Sequence, residues 1–193
     1  MEMKKIRLRL TGTTPLMPHN PRMSNPLDLF AKALKKISGK KNKTDADHEE
    51  MGRLEFLGSL YQNGDGEIVV PGNWIEGMLR EAAKKSKRGK VFQQFMFCDG
   101  TFPLEFDGSH DPDEMWEDGR FTDVRSVRVG QSRVQRTRPI IHNWAATVEV
   151  QYVSGSELDR EELIAAAKLA EITSAVGDNR PRFGRFKVEI LGD

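Results

Sequence analysis

The 193-residue chain holds one cysteine, Cys98. A lone thiol cannot close an intrachain disulfide, so the fold does not depend on an oxidising compartment. Cys98 follows the apolar run VFQQFMF and reads as a small buried residue, not as a nucleophile. No apolar run approaches the roughly 20 residues of a membrane helix. The opening MEMKKIRLRL alternates and has no continuous apolar stretch, so no signal peptide is expected. The expectation is a cytoplasmic protein without a membrane partner. Strong net charge is missing as well: 30 basic and 29 acidic residues leave +1. Any case for a polyanionic partner must therefore rest on where the charges sit.

Several chemical signatures are absent. There is no GxxxxGK[ST] loop, no dinucleotide-binding glycine fingerprint after the first alternating segment and no GxSxG elbow. His19, His48, His110 and His142 are scattered and, with one cysteine, give no zinc pattern. The acidic stretch FDGSHDPDEMWEDG lacks the ligand order and closing glutamate of a calcium loop. No metal and no cofactor are expected.

What the chain does have is charge in blocks. Between Asp28 and Asp45 there is no acid, while Lys32, Lys35, Lys36, Lys40, Lys41 and Lys43 accumulate. Arg80, Lys84, Lys85, Lys87, Arg88 and Lys90 crowd the end of a helical pattern, more cations than a helix dipole requires. The acids from Asp107 to Asp118 precede six arginines (120, 125, 128, 133, 136 and 138), which face a single acid, Asp123. Near the end comes GDNRPRFGRF, with Arg180, Arg182 and Arg185 between Gly177 and Phe186.

Periodicity orders these blocks. Ile6, Leu8 and Leu10 alternate with Lys5, Arg7 and Arg9, which predicts a half-buried strand. A helix capped by Asn25 is expected through Ile37, with a short second one from Thr44 to Arg53. FLGSLY and EIVVP around QNGDG predict a hairpin. Asn73 and Glu76 have capping-box spacing ahead of Ile75, Met78, Leu79 and Ala82. VFQQFMF and TFPLEF read as extended segments, as does the arginine-rich stretch up to Pro139. IIHNWAATVEVQYV predicts a strand, a helix starts near Asp159, and Phe186, Val188 and Ile190 share one face of a last strand. Reduced to regular parts, this is β-α-β followed by β-α-β: an α+β, ferredoxin-like sheet with two helices on one face. RNA-recognition domains share that arrangement, but their paired stacking aromatics are missing here.

IVVPGNWIEGMLREAAKK resembles the strand, Pro-Gly turn, helix and arginine of the RAMP superfamily, the repeat-associated proteins that form the backbone of class 1 CRISPR effector complexes. Pro71, Gly72, Gly77 and Arg80 match; Trp74 stands where the family carries a small polar residue. TGTTPLMPHN resembles the loop after that family's first strand, and VGDNRPRFGRF its glycine-rich loop before the last strand. The family's extended β-thumb falls at about residues 91–140, and residues 21–50 are a basic insertion within one domain spanning 1–193.

The resemblance implies a sequence-independent groove for single-stranded RNA, or single-stranded DNA, at one sheet edge. Arg180, Arg182 and Arg185 would neutralise phosphates, with Gly177 and Gly184 letting the backbone approach. His19, Asn73, Arg80 and Lys84 would line the same region, Lys40 and Lys41 would reach phosphates from the insertion, and Arg125, Arg128, Arg133, Arg136 and Arg138 from the arm. Implied partners are copies of the chain, head to tail, or CRISPR effector subunits in a prokaryotic or phage-infected cell. Two alternatives stand beside this. One is a virus- or mobile-element-encoded mimic that inhibits such a complex or binds single-stranded DNA. The other is a metal-dependent endoribonuclease with His19 as acid or base and Asp28 on the metal. The motif around Asp28 does not match that of cutting family members, so no catalytic residue is carried over.

Overall fold

The computed structural model describes residues 1–192, apart from the Val129 side chain. The chain is α+β, with an antiparallel sheet and, among the described residues, six α-helices. Strand β1 (Glu2–Gly12) lies inside the sheet, between β7 (Ala145–Ser154) and β8 (Phe186–Gly192). The far edge of β7 takes two short strands in succession, β3 (Met96–Phe97) and β4 (Thr101–Glu105), and β4 also pairs with β2 (Val69–Pro71).

Alternation decides the faces. Ile6, Leu8 and Leu10 of β1 are fully buried beside Val148, Val150 and Tyr152 of β7. Each such side chain stabilises by about 1.5–3 kcal/mol. A one-residue slip would turn all of them outward, so the register is strongly specified. Helix α3 (Gly72–Lys85) and helix α6 (Arg160–Thr173) join the same core through Ile75, Met78, Leu79, Leu163, Ala166 and Ala170. The opposite face is polar and paired within itself: Arg9 grips both Glu105 oxygens, at 2.8 and 2.7 Å, and Lys5 meets Glu149 at 2.7 Å.

The arginine-rich stretch is a separate two-stranded hairpin, β5 (Thr122–Val129) with β6 (Ser132–Pro139). Of residues 91–140, the hairpin covers Thr122–Pro139, while Met96–Phe97 and Thr101–Glu105 pair into the main sheet. Residues 21–50 form a 3-10 turn, α1 (Leu29–Ser38) and the first part of α2 (Asp45–Ser59).

Local expectations fail at several points, each for a physical reason. Residues 56–59 of FLGSLY are helical and continue α2, which the Thr44–Asp47 capping box opens; the hairpin shrinks to one bridge, Gln62 to Ile68. VFQQF lies in α4 (Gly89–Phe95), with only Met96 and Phe97 extended. Short apolar runs do not separate strand from buried helix. Asp28, not Asn25, caps α1. Asn73 does not cap α3: Pro71 holds that position without a side-chain bond, and Glu76 accepts from Cys98 N at 2.8 Å instead. The acidic stretch contains α5 (Pro112–Asp118), capped by Asp111.

Candidate nucleic-acid interface

The two loops singled out at either end of the chain lie against each other. Thr13 N donates to Arg185 O, Arg185 N to the Thr14 hydroxyl, Gly184 N to Pro15 O and Asp178 N to Met17 O, all at 2.8–2.9 Å. Trp144 Nε1 donates to Thr14 O at 2.9 Å, fixing the N-terminal loop to β7. Trp144 is thus a core residue, not a stacking platform.

Both glycines of the C-terminal loop take positive φ, +83 at Gly177 and +73 at Gly184. The closest atoms to a side chain there would be the protein's own: Val176 O at 1.7 Å from a Gly184 Cβ, Met17 O at 2.8 Å from a Gly177 Cβ. The expected role is corrected accordingly. These glycines let the loop close on itself and on the first loop; their missing side chains do not leave space for a ligand's backbone.

Closing the loop in this way turns the arginines outward. Arg180, Arg182 and Arg185 are exposed, and among the described residues none has a carboxylate within ion-pair distance. Arg182 lies over the Phe183 ring at 5.9 Å. The neighbouring acid, Asp178, is engaged elsewhere: its Oδ2 contacts His19 Nδ1 at 3.1 Å. The hydrogen bond with His19 outweighs desolvation and holds the Asp178 carboxyl down, to about 2 from the ordinary 3.8. Because the folded value is depressed, the contact stabilises the docked loops above the ordinary aspartate value and is lost as pH falls toward about 2. The stability difference between wild type and Asp178→Asn is expected to shrink across that window in acid denaturation; a difference that stays constant from neutral pH to about pH 2 would remove the His19–Asp178 contact from the loop's support.

Helix α3 brings the third element to the same edge. Tyr61 donates to His19 O at 3.3 Å and its ring meets Trp74 edge-on at 5.0 Å. Asn73, Gly77, Arg80 and Lys84 follow helical spacing along one side, with Asn73, Arg80 and Lys84 exposed and no atom within 4 Å of a Gly77 Cβ. Between α3 and the loop lies a cleft of about 590 Å³, lined by Met78, Glu81, Asp178, Asn179 and Arg180.

The arm arginines divide into two groups. Arg125 and Arg136 are cross-strand neighbours, but Arg125 is paired with Asp123 and Arg136 with Glu55. Glu55 is only 5 % exposed, and its second oxygen accepts from Thr137 N at 2.8 Å. Arg138 is half-buried, its pKa pulled down by desolvation, and donates to Thr137 O. With Met17, Asp178 and Asn179 these three arginines line a cleft of about 220 Å³. At the hairpin tip Arg128 and Arg133 are exposed and directly opposite each other. Lys40 and Lys41 sit apart, in the turn after α1, where Lys40 is paired with Asp47.

Sequence reasoning missed Glu55, the anchor of the arm, because it falls between the helix expected to end at Arg53 and the strand expected from Phe56, whereas α2 runs on through Ser59. Asp178, the acid next to the arginine loop in sequence, lies against His19. Among the described residues no group of three His, Cys, Asp or Glu is placed to hold a metal. Both Asp28 oxygens are occupied, by Arg22 Nε at 2.9 Å and Phe30 N at 2.9 Å. Cys98 is buried, its thiol pushed up to about 12, mainly by desolvation, and it donates to Glu149 O. It is expected to ignore thiol reagents in the native state at pH 8 and react only on unfolding; stoichiometric native labelling would contradict its burial.

No protein-family model matches the chain, and no curated protein matches it. Among the described residues no helix is long and apolar enough to cross a membrane.

Proposed function

We propose that this protein binds single-stranded nucleic acid, RNA in the first instance, through phosphate charge and shape without reading bases. The observation that carries this is the exposed arginine trio 180, 182 and 185, held at one sheet edge without carboxylate partners while other arginines of the chain, such as Arg9, Arg88 and Arg136, are ion-paired. A planar guanidinium with free donors suits phosphate oxygens and stacks on bases. Trp74 and His19 lie at the same edge.

The strand order β8-β1-β7-β3/β4, with α3 and α6 in the intervening connections, supports a ferredoxin-like arrangement. Together with the loop pairing and the projecting hairpin, it supports a RAMP-like subunit. In that proposal the exposed tip arginines 128 and 133 face the strand or a neighbouring copy, and CRISPR effector subunits are the other candidate partners. A metal-dependent endoribonuclease finds less support, because Asp28 caps α1 and pairs with Arg22.

Fluorescence anisotropy with labelled single-stranded RNA, single-stranded DNA and duplex of one sequence tests the proposal. Single strands are expected to bind more tightly than duplex, the RNA-to-DNA ratio names the substrate, and the RNA is expected to stay intact with magnesium present. A folded protein that binds none of them contradicts it.

A further inference from the structure

The arginine loop meets α3 near its middle, at Met78 and Glu81. The C-terminal end of the helix and the turn beyond it carry a second basic feature. A cleft of about 340 Å³ between α3 and α4 is lined by Arg80, Lys84, Lys87, Gly89, Lys90 and Gln93. Four cations line it and no acid does. Lys84 has a partner, Glu81 at 3.2 Å, but both side chains are more than half exposed and such a pair holds little energy. Arg80, Lys87 and Lys90 have no ion pair among the described residues.

Helix chemistry does not account for this cluster. Cations in the last turn complement the dipole, which covers Lys84 and Lys85. Lys87 and Lys90 lie beyond the helix. Lys87 also takes a left-handed backbone, φ 62, a conformation glycine adopts without cost. The adjacent Arg88, by contrast, is fully engaged, with Glu162 at 2.6 and 3.0 Å and with Glu157 O. One basic residue of this turn fastens α3–α4 to α6, and its neighbours face the cleft unpaired.

The clefts connect. The hairpin cleft and the α3–loop cleft share Asp178 and Asn179. Glu81 lines the α3–loop cleft, and its ion-pair partner Lys84 lines the α3–α4 cleft. The three clefts therefore follow one another from the arginine hairpin, past Arg180 and the Glu81–Lys84 pair on α3, to Lys87 and Lys90.

We propose that the α3–α4 cleft is a second phosphate site, which engages the same single strand beyond the arginine loop. This rests on the single-strand binding proposed above. A strand held at both the arginine loop and the α3–α4 cleft gains affinity only when it is long enough to reach both, since the second contact is then intramolecular.

The test uses the full chain and single-stranded RNA oligomers of about 4, 8 and 12 nucleotides, read by anisotropy across a salt series. The variant is Lys87→Gly/Lys90→Ala, chosen because glycine relaxes the left-handed position. Lys35→Ala/Lys36→Ala on α1 removes equal charge elsewhere. The shortest oligomer is expected to bind wild type and variant alike. For the longest, the wild type is expected to gain affinity that the variant lacks. Two fewer phosphate contacts also mean that, between about 50 and about 200 mM salt, the variant loses about sevenfold less affinity than the wild type. Identical length and salt dependence in wild type and variant, or an equal loss in the α1 control, overturns the second site and leaves the loop standing. Wild-type protein that binds no oligomer of any length overturns both.

Discussion

Glu55→Ala is expected to lower stability by about 3 kcal/mol and to release the arginine hairpin from the body of the protein. Glu55 is almost fully buried, pairs with Arg136 and accepts from the Thr137 amide at 2.8 Å. Truncation leaves a guanidinium without its counter-ion and a buried N–H without an acceptor, and the second loss alone costs about 1–3 kcal/mol. For a chain of this size the loss corresponds to a fall of roughly 6–12 °C in Tm. Glu55→Gln keeps an acceptor for Thr137 and removes only the charge, so its loss is expected to be clearly smaller. Hydrogen exchange separates a local from a global effect. Amides of 122–139 are expected to lose protection in Glu55→Ala, while those of β1 and β7 keep it. Unchanged exchange in the hairpin would show that the Glu55 contact does not anchor the arm.

Gly184→Ala is expected to be at least as damaging, for a different reason. The position takes φ +73, where an alanine is strained by about 1–3 kcal/mol. Its Cβ would also stand 1.7 Å from Val176 O, so backbone must move. The atoms that would move are those that join the loops: Gly184 N to Pro15 O and Val176 N to Gly184 O. A Tm lower by roughly 10 °C or more is expected, together with weaker nucleic-acid binding from a misplaced arginine loop. A variant with wild-type Tm would mean that the two loops are not closed against each other as described. Gly77→Ala is the matched control: it has open space and a helical backbone, and alanine there raises helix propensity.

Much of the sheet was legible because period-two alternation in KIRLRL and in WAATVEVQY leaves one way to bury the apolar set. The last helix was legible from Asp159 and its small inner face, Ala166, Ala167 and Ala170. The resemblance implied that the two terminal loops share one edge, and the bonds Thr13 N to Arg185 O and Gly184 N to Pro15 O join them. What could not be read were side-chain destinations. Glu76 has the spacing of a helix cap yet bonds an amide 22 residues away, at Cys98. Arg125 and Arg136 look like free cations in sequence, but pairing sets them beside Asp123 and Glu55. FLGS and VFQQF are too short to reveal their period. Whether the arginines of 180–185 would pair with a nearby acid could not be read either, because the Asp178 contact with His19 joins residues far apart in sequence.

The most direct measurement is the salt dependence of single-stranded RNA affinity for the wild type and for Arg180→Ala/Arg182→Ala/Arg185→Ala. If the trio holds three phosphates, the slope of log K against log salt is expected to fall by about 2 in the variant, at about 0.7 per contact. Equal slopes in two folded proteins would contradict the assignment of this edge as a phosphate-binding surface.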